Sequence, residues 1–88
     1  MNKTGTKKRL AEPGIHLYRN LRNPNKYIQL DVYASDGHYY WRNFMHWDNG
    51  VTNIIGDTRN RQHRISRTLL AEILEDYEEI PIDYSILP

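Results

Sequence analysis

The chain has 88 residues and no cysteine, with 12 Lys and Arg against 11 Asp and Glu and a formal charge of +1. At 39% hydrophobic and 26% charged, it predicts one small soluble domain with one core. Disulfides, thiolate zinc sites and a cysteine nucleophile are excluded. No apolar run reaches the roughly 18–20 residues that cross a bilayer. The first fifteen residues lack the apolar centre of a secretory signal, so the expected location is cytoplasmic, without a membrane role.

Residues 1–14 are polar and basic, with a Pro-Gly turn signal and no apolar period, and predict a flexible arm carrying Lys7, Lys8 and Arg9. A single small α+β domain is expected over 15–88. Ile15 to Arg19 is a short strand candidate, and the Asn-rich stretch containing Pro24 reads as a loop. Tyr27 to Ala34 then alternates strictly. Ile28, Leu30, Val32 and Ala34 share one face; Tyr27, Gln29, Asp31 and Tyr33 share the other.

Asp36-Gly37 has the chemistry of a two-residue type I′ hairpin turn, and His38 to Trp47 alternates again beyond it. That turn sets the register: Ser35 opposite His38, Val32 opposite Trp41, Asp31 opposite Arg42, and Ile28 opposite Met45. Asn49-Gly50 repeats the chemistry before a strand at about 51–55. A two-residue turn there sets Trp47 opposite Thr52, His46 opposite Asn53 and Met45 opposite Ile54. Ile54 then belongs to the core face and Ile55 to the other.

The loop Thr58–Arg64 is basic and leads to a helix expected at about 67–79, with Ser66 as N-cap. Leu69, Leu70, Ile73, Leu74 and Tyr77 form its apolar stripe, and Pro81 terminates it. The expected architecture has two layers: a three- to four-stranded antiparallel meander packed on one C-terminal helix. Tyr39, Trp41, Met45 and Trp47 join the aliphatic residues of the sheet in the core. The tail after Pro81 is apolar enough to add an edge strand or to dock on the core.

Net charge conceals a segregation. Residues 1–67 hold all 12 basic residues and five acids, and the last 21 residues hold six acids and no Lys or Arg. Such asymmetry suits a polyanion partner, an oligomer of opposite surfaces, or an acidic end folded over the basic part. Arg59, Arg61, His63, Arg64 and Arg67 form the densest basic cluster, at the start of the helix. Arginine without lysine favours bidentate phosphate contacts. The acids of the expected helix end lie roughly 15–20 Å away at 1.5 Å per residue, too far to neutralise the whole cluster.

The sheet face turned from the helix would display Tyr33, Tyr40 and Phe44 with Arg42, His38, His46 and amides. Rings that stack on bases and guanidiniums that contact phosphate suit nucleic acid. The competing arrangement covers this face with residues 15–26 or 82–88. His38 and His46 lie about 26 Å apart along one strand, too far for one metal. Catalytic motifs are absent, so neither enzyme activity, metal nor cofactor is expected. The basic arm, meander and helix resemble in layout the small domains that read DNA with a sheet, such as AP2-type and integrase amino-terminal domains. That layout implies DNA binding and carries no individual residue over.

The residues therefore point to a non-catalytic nucleic-acid-binding protein, with DNA ahead of RNA as the partner. Its contacts would come from Arg42, Arg59, Arg61, His63, Arg64, Arg67, Tyr33, Tyr40, Phe44, Lys7, Lys8 and Arg9. The alternative is a protein-interaction module, a homodimer or small inhibitor, using the aromatic face and the acidic C-terminal helix.

Overall fold

A computed structural model describes residues 11–47 and 52–85. The sheet is built around one hairpin. Asp36 and Gly37 have φ of 55° and 75°, the two positive values that a type I′ turn requires. They join β2 (Lys26–Ser35) to β3 (His38–Trp47). The pairing runs without interruption from Ser35 and His38 to Lys26 and Trp47, in the register expected from the turn.

Three further strands complete a five-stranded antiparallel sheet: β1 (Gly14–Asn20), β4 (Thr52–Asp57) and β5 (Tyr77–Ile80). Their order is β4-β3-β2-β1-β5. The expectation of three to four strands is corrected by β5, which lies where the sequence predicts that the helix continues. α1 spans only Arg67–Leu74. Its start is as expected, with the Ser66 hydroxyl accepting from the Leu69 amide at 3.0 Å.

The helix ends early because β1 offers an open edge, whose unpaired amides and carbonyls favour a strand over another helical turn. Tyr77 pairs with Asn20 and Ile80 with Leu17, and the Leu21 amide donates to the Asp76 carbonyl at 2.9 Å. Pro81, expected to stop the helix, instead follows the last residue of β5.

β4 departs from the expected register. His46 faces Thr52, Met45 faces Asn53 and Phe44 faces Ile54, one residue away from the two-residue-turn alignment. A bulge after Phe44 restores that alignment, so that Asn43 meets Gly56 and Arg42 meets Asp57. The extra residue is Ile55. The two isoleucines therefore exchange faces: Ile55 packs against the core, and Ile54 is 52% exposed on the other side. The Asn49-Gly50 turn lies outside the described residues.

One face of the sheet, the helix face, carries the core. Tyr18, Ile28, Leu30, Val32, Ile65 and Leu70 are its buried centre, with Trp41, Met45, Ile55, Ile73, Leu74 and Tyr77 packed around them. Leu69, expected in the apolar stripe, is 48% exposed. Tyr39, Trp47 and Ala34 are exposed too. A helix of eight residues is about 12 Å long, whereas a ten-residue strand runs about 33 Å. It is too short to cover β3 along its whole length. Among the described residues no helix is long and apolar enough to cross a membrane.

Gly56 marks the tightest approach in the core. A Cβ there would overlap Ile65 Cγ2 and come within 3.1 Å of Asn43 Oδ1. Ile65 and Asn43 are both buried, and a β-branched side chain has few rotamers to escape into. Gly56→Ala is expected to destabilise the fold by about 1–3 kcal/mol, read as a lower urea midpoint with unchanged m-value.

Candidate nucleic-acid interface

The loop between β4 and α1 is fastened to the start of β3 by backbone and side-chain bonds. Thr58 receives and gives on both sides of Trp41: its amide donates to the Trp41 carbonyl at 3.0 Å, and its Oγ accepts from the Trp41 amide at 2.9 Å. Asp57 Oδ1 accepts from the Arg59 amide at 2.9 Å, and Asn60 Oδ1 from the Gln62 amide at 2.9 Å. The second of these caps a 3₁₀ turn at Arg61–His63. Side-chain oxygens that close turns in this way hold a loop without regular ladder partners.

Arg59 of this loop and Arg67, the first residue of α1, grip β3 from opposite sides. The Arg59 guanidinium lies over the Tyr40 ring at 4.8 Å on the face away from the helix, the far face. Arg67 lies over the Trp41 ring at 5.6 Å on the helix face. Tyr40 in turn stacks on its cross-strand neighbour Tyr33, with centroids 5.8 Å apart. Arg59, Tyr40 and Tyr33 thus form one column. Arg61, His63 and Arg64 are exposed beside it.

Side-chain ion pairs among the described residues join His16 to Glu79, Arg19 to Glu78, and Arg42 to Asp57. None of them involves Arg59, Arg61 or Arg64. Glu78 and Glu79 belong to β5 and face β1, at the opposite edge of the sheet from β4. Two acids of the C-terminal end therefore answer Arg19 and His16, and no carboxylate of the described residues pairs with Arg59, Arg61 or Arg64.

Arg42 stands opposite Asp31 as expected, but its Nε donates to Asp57 Oδ2 at 3.0 Å. That bond, with the charge of Asp57, raises the Arg42 pKa further above its ordinary value. Tyr33, Tyr40 and Phe44 are half-buried rather than open. Of the segments considered as a cover, residues 14–20 form β1 within the sheet, and 21–25 and 81–85 are exposed. Lys7, Lys8 and Arg9 lie outside the described residues.

Sequence reasoning missed a cleft on the helix face. It is walled by His38–Trp41 on one side and by Thr58 and Arg64–Arg67 on the other, with a volume of about 700 Å³. Tyr39 and Trp41 alternate in phase with the core residues and read as core for that reason. The signal that marks them as accessible is the length mismatch between α1 and β3.

The middle of the far face is closed, with Leu17, Gln29 and His46 buried. Gln29 Oε1 accepts from His46 Nε2 at 2.9 Å, and the Thr52 hydroxyl donates to His46 Nδ1 at 3.1 Å. This pattern fits a neutral imidazole, and burial pushes the His46 pKa down. His16 is the opposite case. Burial pulls its pKa down, but the Glu12 carbonyl and the Glu79 carboxylate outweigh that and hold it raised.

No family model, curated protein or solved structure matches the chain.

The two histidines predict a stability maximum near their ordinary value of 6.5. The lowered His46 contributes stability that is present above 6.5 and lost as pH falls through its folded pKa. The raised His16 contributes stability that is present below 6.5 and lost as pH rises through its folded pKa. Urea midpoints from pH 5 to 8 should fall on both sides of the maximum. His46→Gln should flatten the acid limb alone, and His16→Gln the alkaline limb alone.

Proposed function

We propose that this protein binds nucleic acid without catalysis, holding the phosphate backbone with the loop that carries Arg59, Arg61 and Arg64. The observation that supports this reading is their charge: three guanidiniums stand on one fastened loop, and no carboxylate of the described residues pairs with them. His63 and Arg67 lie on the same segment. Guanidiniums match phosphate oxygens in a bidentate geometry that lysine does not offer.

The aromatic column gives the loop a second role. Stacking on Tyr40 presents the Arg59 guanidinium flat at the start of β3, a posture suited to a phosphate or a guanine edge. Phe44 lies further along the same face, beside the His46 ring. It would serve any strand that followed the sheet inward. Arg42 contributes less, because Asp57 already holds it.

A second reading, a protein-interaction module or homodimer, is favoured by one observation. Ile15 and Ile54 are both about half exposed on the far face, flanking its aromatic residues. Self-association in sedimentation without nucleic-acid affinity would select that reading.

Fluorescence anisotropy with labelled duplex DNA, single-stranded DNA and RNA at two salt concentrations tests the first. Binding should weaken steeply with salt. The triple variant Arg59→Ala, Arg61→Ala, Arg64→Ala should stay folded, with the urea midpoint lowered only by the loss of the Arg59–Tyr40 stack, about 0.5–1 kcal/mol. Its salt slope on duplex should fall by roughly 2–3, at about 0.9 for each phosphate that is no longer neutralised. Unchanged affinity and slope in the triple variant would reject the loop as the phosphate grip.

A further inference from the structure

We propose that the cleft between His38–Trp41 and Arg64–Arg67 takes one unpaired nucleobase together with its adjoining phosphate. The proposal rests on the nucleic-acid reading above and moves the base contact to the helix face of β3. Its volume of about 700 Å³ falls within the roughly 300–1,000 Å³ of small-ligand sites. A nucleotide fits such a space. A stacked base pair does not, because its faces are covered by its neighbours in the duplex.

The walls have the chemistry of a base slot. Tyr39, 43% exposed, and Trp41 supply aromatic surface on one side, and Ile65 supplies aliphatic surface on the other. Flat π-faces of any base stack on such rings with little regard to sequence. Inorganic phosphate alone would gain nothing from them. Among the described residues no Asp or Glu lines the cleft, and Arg64 and Arg67 do, so the charge favours an anion attached to that ring.

Unmet hydrogen bonds point the same way. The Trp41 indole N–H, which can only donate, is buried without a partner. Asn43, on the same face of β3, is fully buried with both carboxamide atoms unpaired. It adjoins Ile65 across Gly56. Buried polar atoms without partners are rare and ask for a reason. Base edges carry ring nitrogens and carbonyl oxygens that accept, and exocyclic amines that donate. Among the described residues with such atoms, Trp41 alone lines the cleft that a base would enter; Asn43 lies in the core and the Tyr33 hydroxyl on the far face. The cleft adjoins the arginine loop. A strand whose phosphates follow Arg59, Arg61 and Arg64 would reach it without leaving the protein.

The test uses the full chain with Trp47→Phe, so that tryptophan emission reports Trp41 alone. Trp47 is at the open far end of β3, and the change leaves the core intact. Three probes are compared at low salt: a single strand, a blunt duplex, and the same duplex with a one-nucleotide overhang. The single strand and the overhang are expected to quench Trp41 and to bind about tenfold more tightly than the blunt duplex. Tyr39→Ala should remove that preference while leaving the blunt-duplex affinity, and Tyr39→Phe should retain it. Equal binding of all three probes with Trp41 emission unchanged would overturn the cleft and leave the phosphate grip standing. No binding of any probe would overturn both.

Discussion

The dimension on which this structure depends is the shortness of its helix. Eight residues of α1 lie against strands of ten, and apolar burial can be completed only where the two overlap. Ile28, Leu30 and Val32 fall within that overlap and are buried with Leu70. Towards the ends of β3 the same alternation continues beyond the buried centre of the core. Trp47 is capped there by the Lys26 ammonium at 4.9 Å, and Tyr39 and Trp41 border the cleft. One length mismatch therefore produces both a compact core and an accessible aromatic end.

Shortening the helix also decides where the negative charge goes. Had the chain stayed helical to residue 79, Glu78 and Glu79 would have sat on a solvated helix end with an opposing dipole. As part of β5 they meet Arg19 and His16 instead. Exposed pairs of this kind contribute little stability individually. Their larger consequence is positional, since they commit acidic groups to the β1 edge. The arginine loop emerges at the other edge, beyond β4. A chain of net charge +1 thus presents a concentrated positive end.

The parts of the fold that are legible in the sequence are those governed by local chemistry. Asp36-Gly37 admits positive φ at both positions, so the β2–β3 register follows from the turn and the period-two pattern without tertiary knowledge. Ser66 is similar, because an N-cap needs only its own hydroxyl and an amide three residues on. Arg59, Arg61 and Arg64 are legible as a charged cluster for the same reason. What is not legible depends on distant partners. The bulge at Ile55 shifts β4 by one residue, and neither of two adjacent isoleucines declares which face it will take. β5 forms because β1 has an open edge, a fact that Tyr77–Ile80 do not contain. The cleft is hidden because Tyr39 and Trp41 obey the core pattern, and their exposure depends on where the helix ends.

The fastening of the loop bears directly on what it can do. A mobile chain of arginines would lose side-chain and backbone freedom on meeting phosphate, and that loss subtracts from affinity. Here Thr58 is bonded to both backbone groups of Trp41, Asp57 and Asn60 close the turns, and Ser66 caps the helix. Arg59 and Arg67 are stacked on adjacent residues of β3 that point to opposite faces. The strand start and the loop consequently move as one body, with a guanidinium on each side of it. A ligand engaging Arg59 on one face and the cleft beside Arg67 on the other would wrap the end of β3. A single strand can follow such a turn, whereas a stiff duplex would have to fray at its terminus to do so. On the proposed reading, two guanidiniums stacked on opposite faces of β3 would favour strand ends and unpaired segments over the uninterrupted double helix.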